Sequence, residues 1–111
     1  GAKPVFVDAD KDTWNIDTTK IEEKITSKTK AIMPVHIFGN PCNMDKIEEL
    51  AKKYNLFILE DAAEAHGAEY KNKKVGSFSD IAAFFLFLFS YNLHPYYHYT
   101  TFSLKTKEKM T

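Results

Sequence analysis

LFILEDAAEAHGAEY, residues 56–70, holds the sharpest change of character in the chain. Leu56-Phe57-Ile58-Leu59 is a short apolar run of the kind that fills a sheet covered on both faces, so it predicts a buried strand. The run stops at Glu60-Asp61 and is followed by the small residues Ala62, Ala63, Ala65 and Gly67. In open α/β sheets, ligands sit in the crevice beyond the carboxyl ends of the strands. A carboxylate there can pair with a cation, and alanines let a flat ring approach the backbone. Asp61 can equally do no more than cap the turn that follows, as Asp commonly does. Both readings stand at this point.

Outward from this stretch, the chain alternates strand and helix signals. Pro4–Asp8 is β-branched and aromatic, with Pro at the allowed first position of a strand. Asp17-Thr18-Thr19 supplies N-cap candidates for a first helix carrying Ile21 and Ile25 on one face. Ala31–His36 predicts a second strand, with Pro34 arguing against a fully paired interior position. Asn43 predicts the cap of a second helix, Met44–Tyr54, whose stripe is Met44, Ile47, Leu50, Ala51 and Tyr54. Lys52 and Lys53 in its last turn suit the helix dipole, and Asn55 can close it. After the central strand, Ala68-Glu69-Tyr70 and Lys74-Val75-Gly76 flank Lys71-Asn72-Lys73 as a surface hairpin, and Ile81–Phe84 predicts another buried strand. This order predicts an α/β fold with a largely parallel sheet and crossover helices.

Composition bounds the function. The chain has 111 residues, 15 basic against 15 acidic, so no charge excess points to nucleic acid or an anionic membrane. Every basic residue is Lys, which leaves no bidentate Arg clamp for phosphate or carboxylate. The single Cys42 excludes an internal disulfide and fits a reducing, cytoplasmic setting. It lies in a Pro-Cys-Asn turn with no basic neighbour in sequence and reads as a turn residue rather than a nucleophile. No metal site is expected. No signal peptide opens the chain, and the uncharged stretch from Ile81 is too polar in its second half for a membrane helix. Beginning at Gly1 in a strand approach, the chain reads as a piece of something larger.

Six strings in one order and spacing then carry a family resemblance: GAKPVFVD at 1–8, TWNID at 13–17, TKAIMPVH at 29–36, GNPCNMD at 39–45, EDAAEAHGAEY at 60–70 and KVGSFSDIAAF at 74–84. Together they resemble the DegT/DnrJ-type sugar-nucleotide aminotransferases, pyridoxal 5'-phosphate (PLP) enzymes of the aspartate aminotransferase fold, type I. The resemblance implies that residues 1–84 are a central part of the large PLP-binding domain, with a partial parallel or mixed sheet. It implies no site residue beyond cofactor binding: Asp61 pairing with the protonated pyridine nitrogen, Ala63 stacked under the ring, and Glu64 near the ring's 3-oxygen. Glu64 stands where the family often has Gln, and Glu there resembles the perosamine-synthase branch. His36 reads as a structural hydrogen-bonding residue, His66 as a fixed loop histidine and Trp14 as packing.

The same register exposes departures. In the family a phosphate-contacting Ser and then the Schiff-base lysine follow DIAAF; here those positions are Phe85 and Ser90. The next lysine is Lys105. Residues 84–102, FFLFLFSYNLHPYYHYTTF, hold nine aromatics and no charge or glycine, where the family carries a glycine-rich run. The organisation expected is therefore 1–84 family-like, 85–103 anomalous and 104–111 a helical tail. For the intact family the resemblance implies transamination of a nucleotide-linked 4-keto-6-deoxy sugar with glutamate as donor, in a homodimer. For this chain alone it implies no catalytic residue and no turnover. Two alternatives remain: a sugar dehydratase relative using His94 or His98 in place of the lysine, and a non-catalytic degenerate interaction fragment. A reading-frame error in the aromatic stretch would explain both its composition and the missing lysine.

Overall fold

The structure, a computed structural model, describes residues 1–87 and 98–104, with side chains described for 1–84. One sheet runs in the order β1 (Ala31–Ile32), β2 (Phe57–Asp61), β5 (Ile81–Phe87), β6 (His98–Leu104). β1, β2 and β5 are parallel, and β6 is antiparallel to β5. The helix α1 (Met44–Tyr54) connects β1 to β2, and a hairpin of β3 (Glu69–Tyr70) and β4 (Lys73–Lys74) lies between β2 and β5. Parallel neighbours require such long crossovers, so the alternation read from the sequence accounts for the topology.

α1 forms where its apolar period and its caps agree. Met44, Ile47, Leu50 and Ala51 are buried against Ile32, Ile58, Cys42 and Phe78. Asn43 Oδ1 accepts from the Lys46 amide at 3.3 Å, and Asn55 closes the helix in the left-handed conformation at φ 53°. The Tyr70 hydroxyl donates to the same Asn43 oxygen at 3.0 Å, which pins the hairpin to the start of α1. Asn43→Ala is expected to cost about 1 kcal/mol in urea unfolding from the lost cap. Tyr70→Phe, which keeps that cap, is expected to cost less than Asn43→Ala.

Several elements differ from the sequence reading, each for a local reason. β2 is buried on one face only. Ile58 and Glu60 point into the core while Phe57 is 55% exposed, so the apolar run is an alternating strand. Pro4–Asp8 joins no ladder among the described residues; only Ala9 and Ile16 bridge nearby, and Val5 and Phe6 are exposed. The helix predicted after Asp17 is one 3₁₀ turn, Glu22–Lys24, ended by extended backbone at Ile25. A single turn gains too few hydrogen bonds to propagate. Trp14 does not pack: it sits at a turn with φ 63° and is 71% exposed. The hairpin turn is the two residues Lys71-Asn72, both at positive φ, the geometry whose twist matches paired strands. β5 runs three residues past Phe84, and β6 takes up His98–Leu104. Of the helical tail expected over 104–111, Leu104 is the last residue of β6, while 105–111, like the aromatic residues 88–97, lie outside the described residues. Among the described residues, no helix is long and apolar enough to cross a membrane.

Candidate functional site

The carboxyl end of β2, the middle one of the three parallel strands, is Asp61. Its amide donates to Pro34 O at 2.9 Å and its carbonyl accepts from the His36 amide at 3.0 Å, which ties it to the chain following β1. On the other side Asp61 is in register with Ala83 of β5, and the Ala62 amide donates to Ala83 O at 2.9 Å. The turn beyond is built from small residues: Ala65 N bonds Ala62 O, Ala68 N bonds Ala65 O, and Gly67 takes φ 78°. Ala62 and Ala65 are buried with Val75, and Ala68 and the Phe84 ring pack against them.

The side chain of Asp61 is half-buried, and its Oδ1 accepts from the Ala63 amide at 3.1 Å. Capping the turn and facing a ligand are therefore compatible, because Oδ2 makes no hydrogen bond among the described residues. Ala63, beside it, is half-buried and offers only a methyl group. Glu64 is exposed, and its Oε2 accepts from the Phe38 amide at 3.0 Å. That bond holds the turn Ile37–Gly39, where Phe38 takes φ 50° and Gly39 φ 78°. A side chain at Gly39 would sit 3.3 Å from the Glu64 carbonyl, so the two loops touch. Asp61, Ala63 and Glu64 thus lie on one short segment at the strand tips. The uncommitted carboxylate oxygen of Asp61, beside the Ala63 methyl group, is an acceptor for a cationic N–H donor.

His36 is buried beneath this edge. Its Nε2 lies 3.1 Å from Glu60 Oε2, and its Nδ1 accepts from the Cys42 amide at 3.1 Å. An amide donor at Nδ1 requires that nitrogen to be unprotonated, so the ring is the neutral Nε2–H tautomer and donates to Glu60. Glu60 is fully buried and also accepts from the Gly76 amide at 2.5 Å and the Phe78 amide at 3.0 Å. Burial raises its pKa, but the His36 ring and the Gly76 amide outweigh it, and the carboxyl lies below its ordinary value. The structural role read for His36 agrees with this geometry. His66 packs against Phe84, ring centroids 5.2 Å apart.

The buried residues Asp80 and Asn15 escaped the sequence reading. Asp80 substitutes for a ladder rung ahead of β5: its amide donates to Ile58 O, and its Oδ2 accepts from the Ile58 amide, both at 3.0 Å. Asn15 clamps the loop after His36, accepting from the Ile37 amide at 3.0 Å and donating to Asn40 O at 2.8 Å. Neither leaves a periodic signal. Glu60 does, since it shares a face with Ile58 two residues before it. Among the described residues no group of His, Cys, Asp and Glu is arranged to hold a metal.

Cys42 is buried, its thiol donating to Val35 O at 3.1 Å, and burial pushes its pKa up to about 11. At pH 8 about one thiol in a thousand is then ionised. A thiol-specific disulfide reagent is expected to label Cys42 far more slowly in the folded chain than in urea. Equal rates would contradict the burial.

The profile of the DegT/DnrJ/EryC1/StrS aminotransferase family matches residues 1–90. The chain belongs to this family. GDP-perosamine synthase of Escherichia coli O157:H7 is 58% identical over 87 residues, which is 78% of the chain and 24% of that relative. The aminotransferase of Psychrobacter cryohalolentis superposes at a TM-score of 0.75 with 50% identity, over 77% of the chain and 22% of its own. An E. coli GDP-4-keto-6-deoxy-D-mannose-3-dehydratase with bound hydrated PLP superposes at 0.69 with 40% identity, over 74% and 21% respectively. The DegT/DnrJ-family chain therefore spans about a quarter of the length of the relatives it matches. Its sheet is part of a type I aminotransferase fold, as the six sequence strings imply.

Proposed function

We propose that this chain is a segment of the large domain of a PLP-dependent aminotransferase acting on a nucleotide-linked 4-keto-6-deoxy sugar, with glutamate as donor. The observation that carries the reading is Asp61, with one oxygen on the Ala63 amide and the other free of hydrogen bonds among the described residues. Asp61 would hold the protonated pyridine nitrogen, Ala63 would lie under the ring, and Glu64 would approach the 3-oxygen from the turn it shares with Phe38. When bound, the cofactor supplies an electron sink for a substrate carbanion. The chain's own part is to keep a negative charge at the nitrogen and to give the ring a flat, methyl-lined seat. Family relatives named as a GDP-perosamine synthase and a dTDP-sugar transaminase support the substrate class. The intact protein would work in the cytoplasm as a homodimer.

Alone, the chain is proposed to be inactive. No lysine stands between Lys74 and Lys105, and Ser90 occupies the register of the expected Schiff-base lysine. The division into 1–84, 85–103 and 104–111 belongs to the same proposal. Incubated with PLP, glutamate and a GDP-linked 4-keto-6-deoxy sugar, the chain is expected to form no amino sugar. A single borohydride-trapped lysine at one equivalent per chain, together with turnover, would overturn this.

The dehydratase relative at 40% identity favours testing the second reading, in which a histidine replaces the lysine. His98 pairs with Phe87, whereas Asp61 pairs with Ala83, four residues earlier on the same strand. At about 3.3 Å per residue, His98 stands roughly 13 Å along the sheet from Asp61. That separation counts against a role for His98. His94 lies outside the described residues.

A further inference from the structure

We propose that Glu60 is the positioning residue for Asp61: its buried hydrogen bonds select the strand register that turns Glu60 inward and Asp61 toward the ligand edge. Two adjacent carboxylates at a strand tip are ambiguous by themselves. Because side chains alternate across a strand, a one-residue slip would bury Asp61 and expose Glu60. The donors aimed at Glu60 remove the ambiguity. His36 Nε2 and the Gly76 amide reach Oε2 at 3.1 and 2.5 Å, and the Phe78 amide reaches Oε1 at 3.0 Å. These donors come from both neighbours of β2, the chain after β1 and the loop before β5.

The geometry closes a circuit around Asp61. The Glu60 side chain holds the His36 ring, the His36 amide holds Asp61 O at 3.0 Å, and the Asp61 amide holds Pro34 O at 2.9 Å. The Cys42 amide on His36 Nδ1 at 3.1 Å keeps the ring a neutral Nε2–H donor, so it cannot turn over without loss of a bond at each nitrogen. The Glu60 charge is met by N–H dipoles and a neutral imidazole rather than by a cation. A carboxylate held this way, with every donor fixed, specifies geometry as a buried polar residue specifies register in other folds. The significance for a cofactor rests on the reading of Asp61 given above; the circuit itself does not.

Amide hydrogen exchange on the whole chain tests the proposal. In Glu60→Gln one carboxylate acceptor becomes a donor facing donors. Protection at the Asp61, His36 and Ala63 amides is then expected to fall at least ~10-fold more than at the Ile47 and Leu50 amides of α1. A fall of equal size in α1 would make Glu60 a general stabiliser, and no fall would remove its role; either overturns the proposal. If Glu60→Gln does not fold, the ¹⁵N spectrum of His36 in the unaltered chain decides. A single neutral Nε2–H tautomer supports the circuit, and an Nδ1–H form or a mixture overturns it. Titration with pyridoxamine 5'-phosphate separates the two claims: failure to bind removes the cofactor reading and leaves the exchange result standing.

Discussion

Glu60→Ala is expected to lower the unfolding free energy by about 4 kcal/mol. The substitution leaves the His36 ring N–H and the Gly76 and Phe78 amides without an acceptor in a site closed to water. A buried donor stripped of its partner costs about 1–3 kcal/mol, and more where the partner was charged. Even partial relaxation of the loop before β5 leaves a large loss. The effect has a pH signature. Because the folded pKa of Glu60 lies below the free value of 4.5, its contribution is fully present above that value. It fades as pH falls through the folded pKa, where the folded state takes up the proton last. Stability of the unaltered chain is therefore expected to drop on acidification below about pH 4.5, and the drop in Glu60→Ala to be smaller. Urea unfolding at pH 7 and at a series of acid values measures both. A loss at pH 7 under 1 kcal/mol would show that the three donors find other partners.

Gly76→Ala ranks next, at about 3 kcal/mol. Gly76 takes φ 81°, and a Cβ there would overlap the edge of the Phe84 ring while sitting 3.3 Å from the Ala82 Cβ. The left-handed backbone costs an L-residue about 1–2 kcal/mol, and overpacking typically adds about 1–3 kcal/mol. The Phe84 ring, packed on His66 with centroids 5.2 Å apart, would have to shift and strain the corner that carries the Gly76 amide to Glu60. Gly67 provides the control: its φ is 78°, yet nothing lies within 4 Å of a Cβ placed there. Gly67→Ala is thus expected to cost only the backbone share, about 1–2 kcal/mol. Equal losses for the two variants would remove Phe84 from the explanation.

The sequence was most informative where one physical signal dominated. α1 combines a single apolar stripe with a capping Asn43 and a left-handed Asn55, and its bounds agree with the structure. The βαβ order followed from punctuation between elements, and the parallel pairing of β1, β2 and β5 agrees with it. Elements whose partners are distant in sequence or absent were harder. Pro4–Asp8 has strand composition, yet strand composition gains nothing without a neighbour to pair with. The run Leu56–Leu59 looked buried on both faces because apolar content hides alternation, and Glu60 two residues after Ile58 was the clue to the true pattern. Trp14 shows that a large aromatic residue predicts burial only when the backbone beneath it leads inward; here a positive φ turns it to solvent.

At the candidate site the roles divide by range. Asp61 is conspicuous as a carboxylate at a strand tip followed by alanines, so its position was readable from local order. The parts that hold it were not, because they arise from contacts across 16 to 24 residues, as in Gly76 to Glu60 and His36 to Glu60. A hydrogen-bond circuit of that kind leaves no period and no composition in the sequence. Asn15, 22 residues from the Ile37 amide it holds, escaped for the same reason.

The most direct measurement is a titration of the ¹⁵N-labelled chain with pyridoxamine 5'-phosphate, run beside its deaza analogue, which lacks the ring nitrogen, and repeated on Asp61→Asn. Predicted are shifts centred on Asp61 and Ala63 with the parent compound, and at least tenfold weaker binding both for the analogue and for the Asn variant, about 1.4 kcal/mol. Equal affinity with and without the nitrogen, or shifts that bypass Asp61 and Ala63 altogether, would contradict the assignment of this carboxylate to a cationic ring.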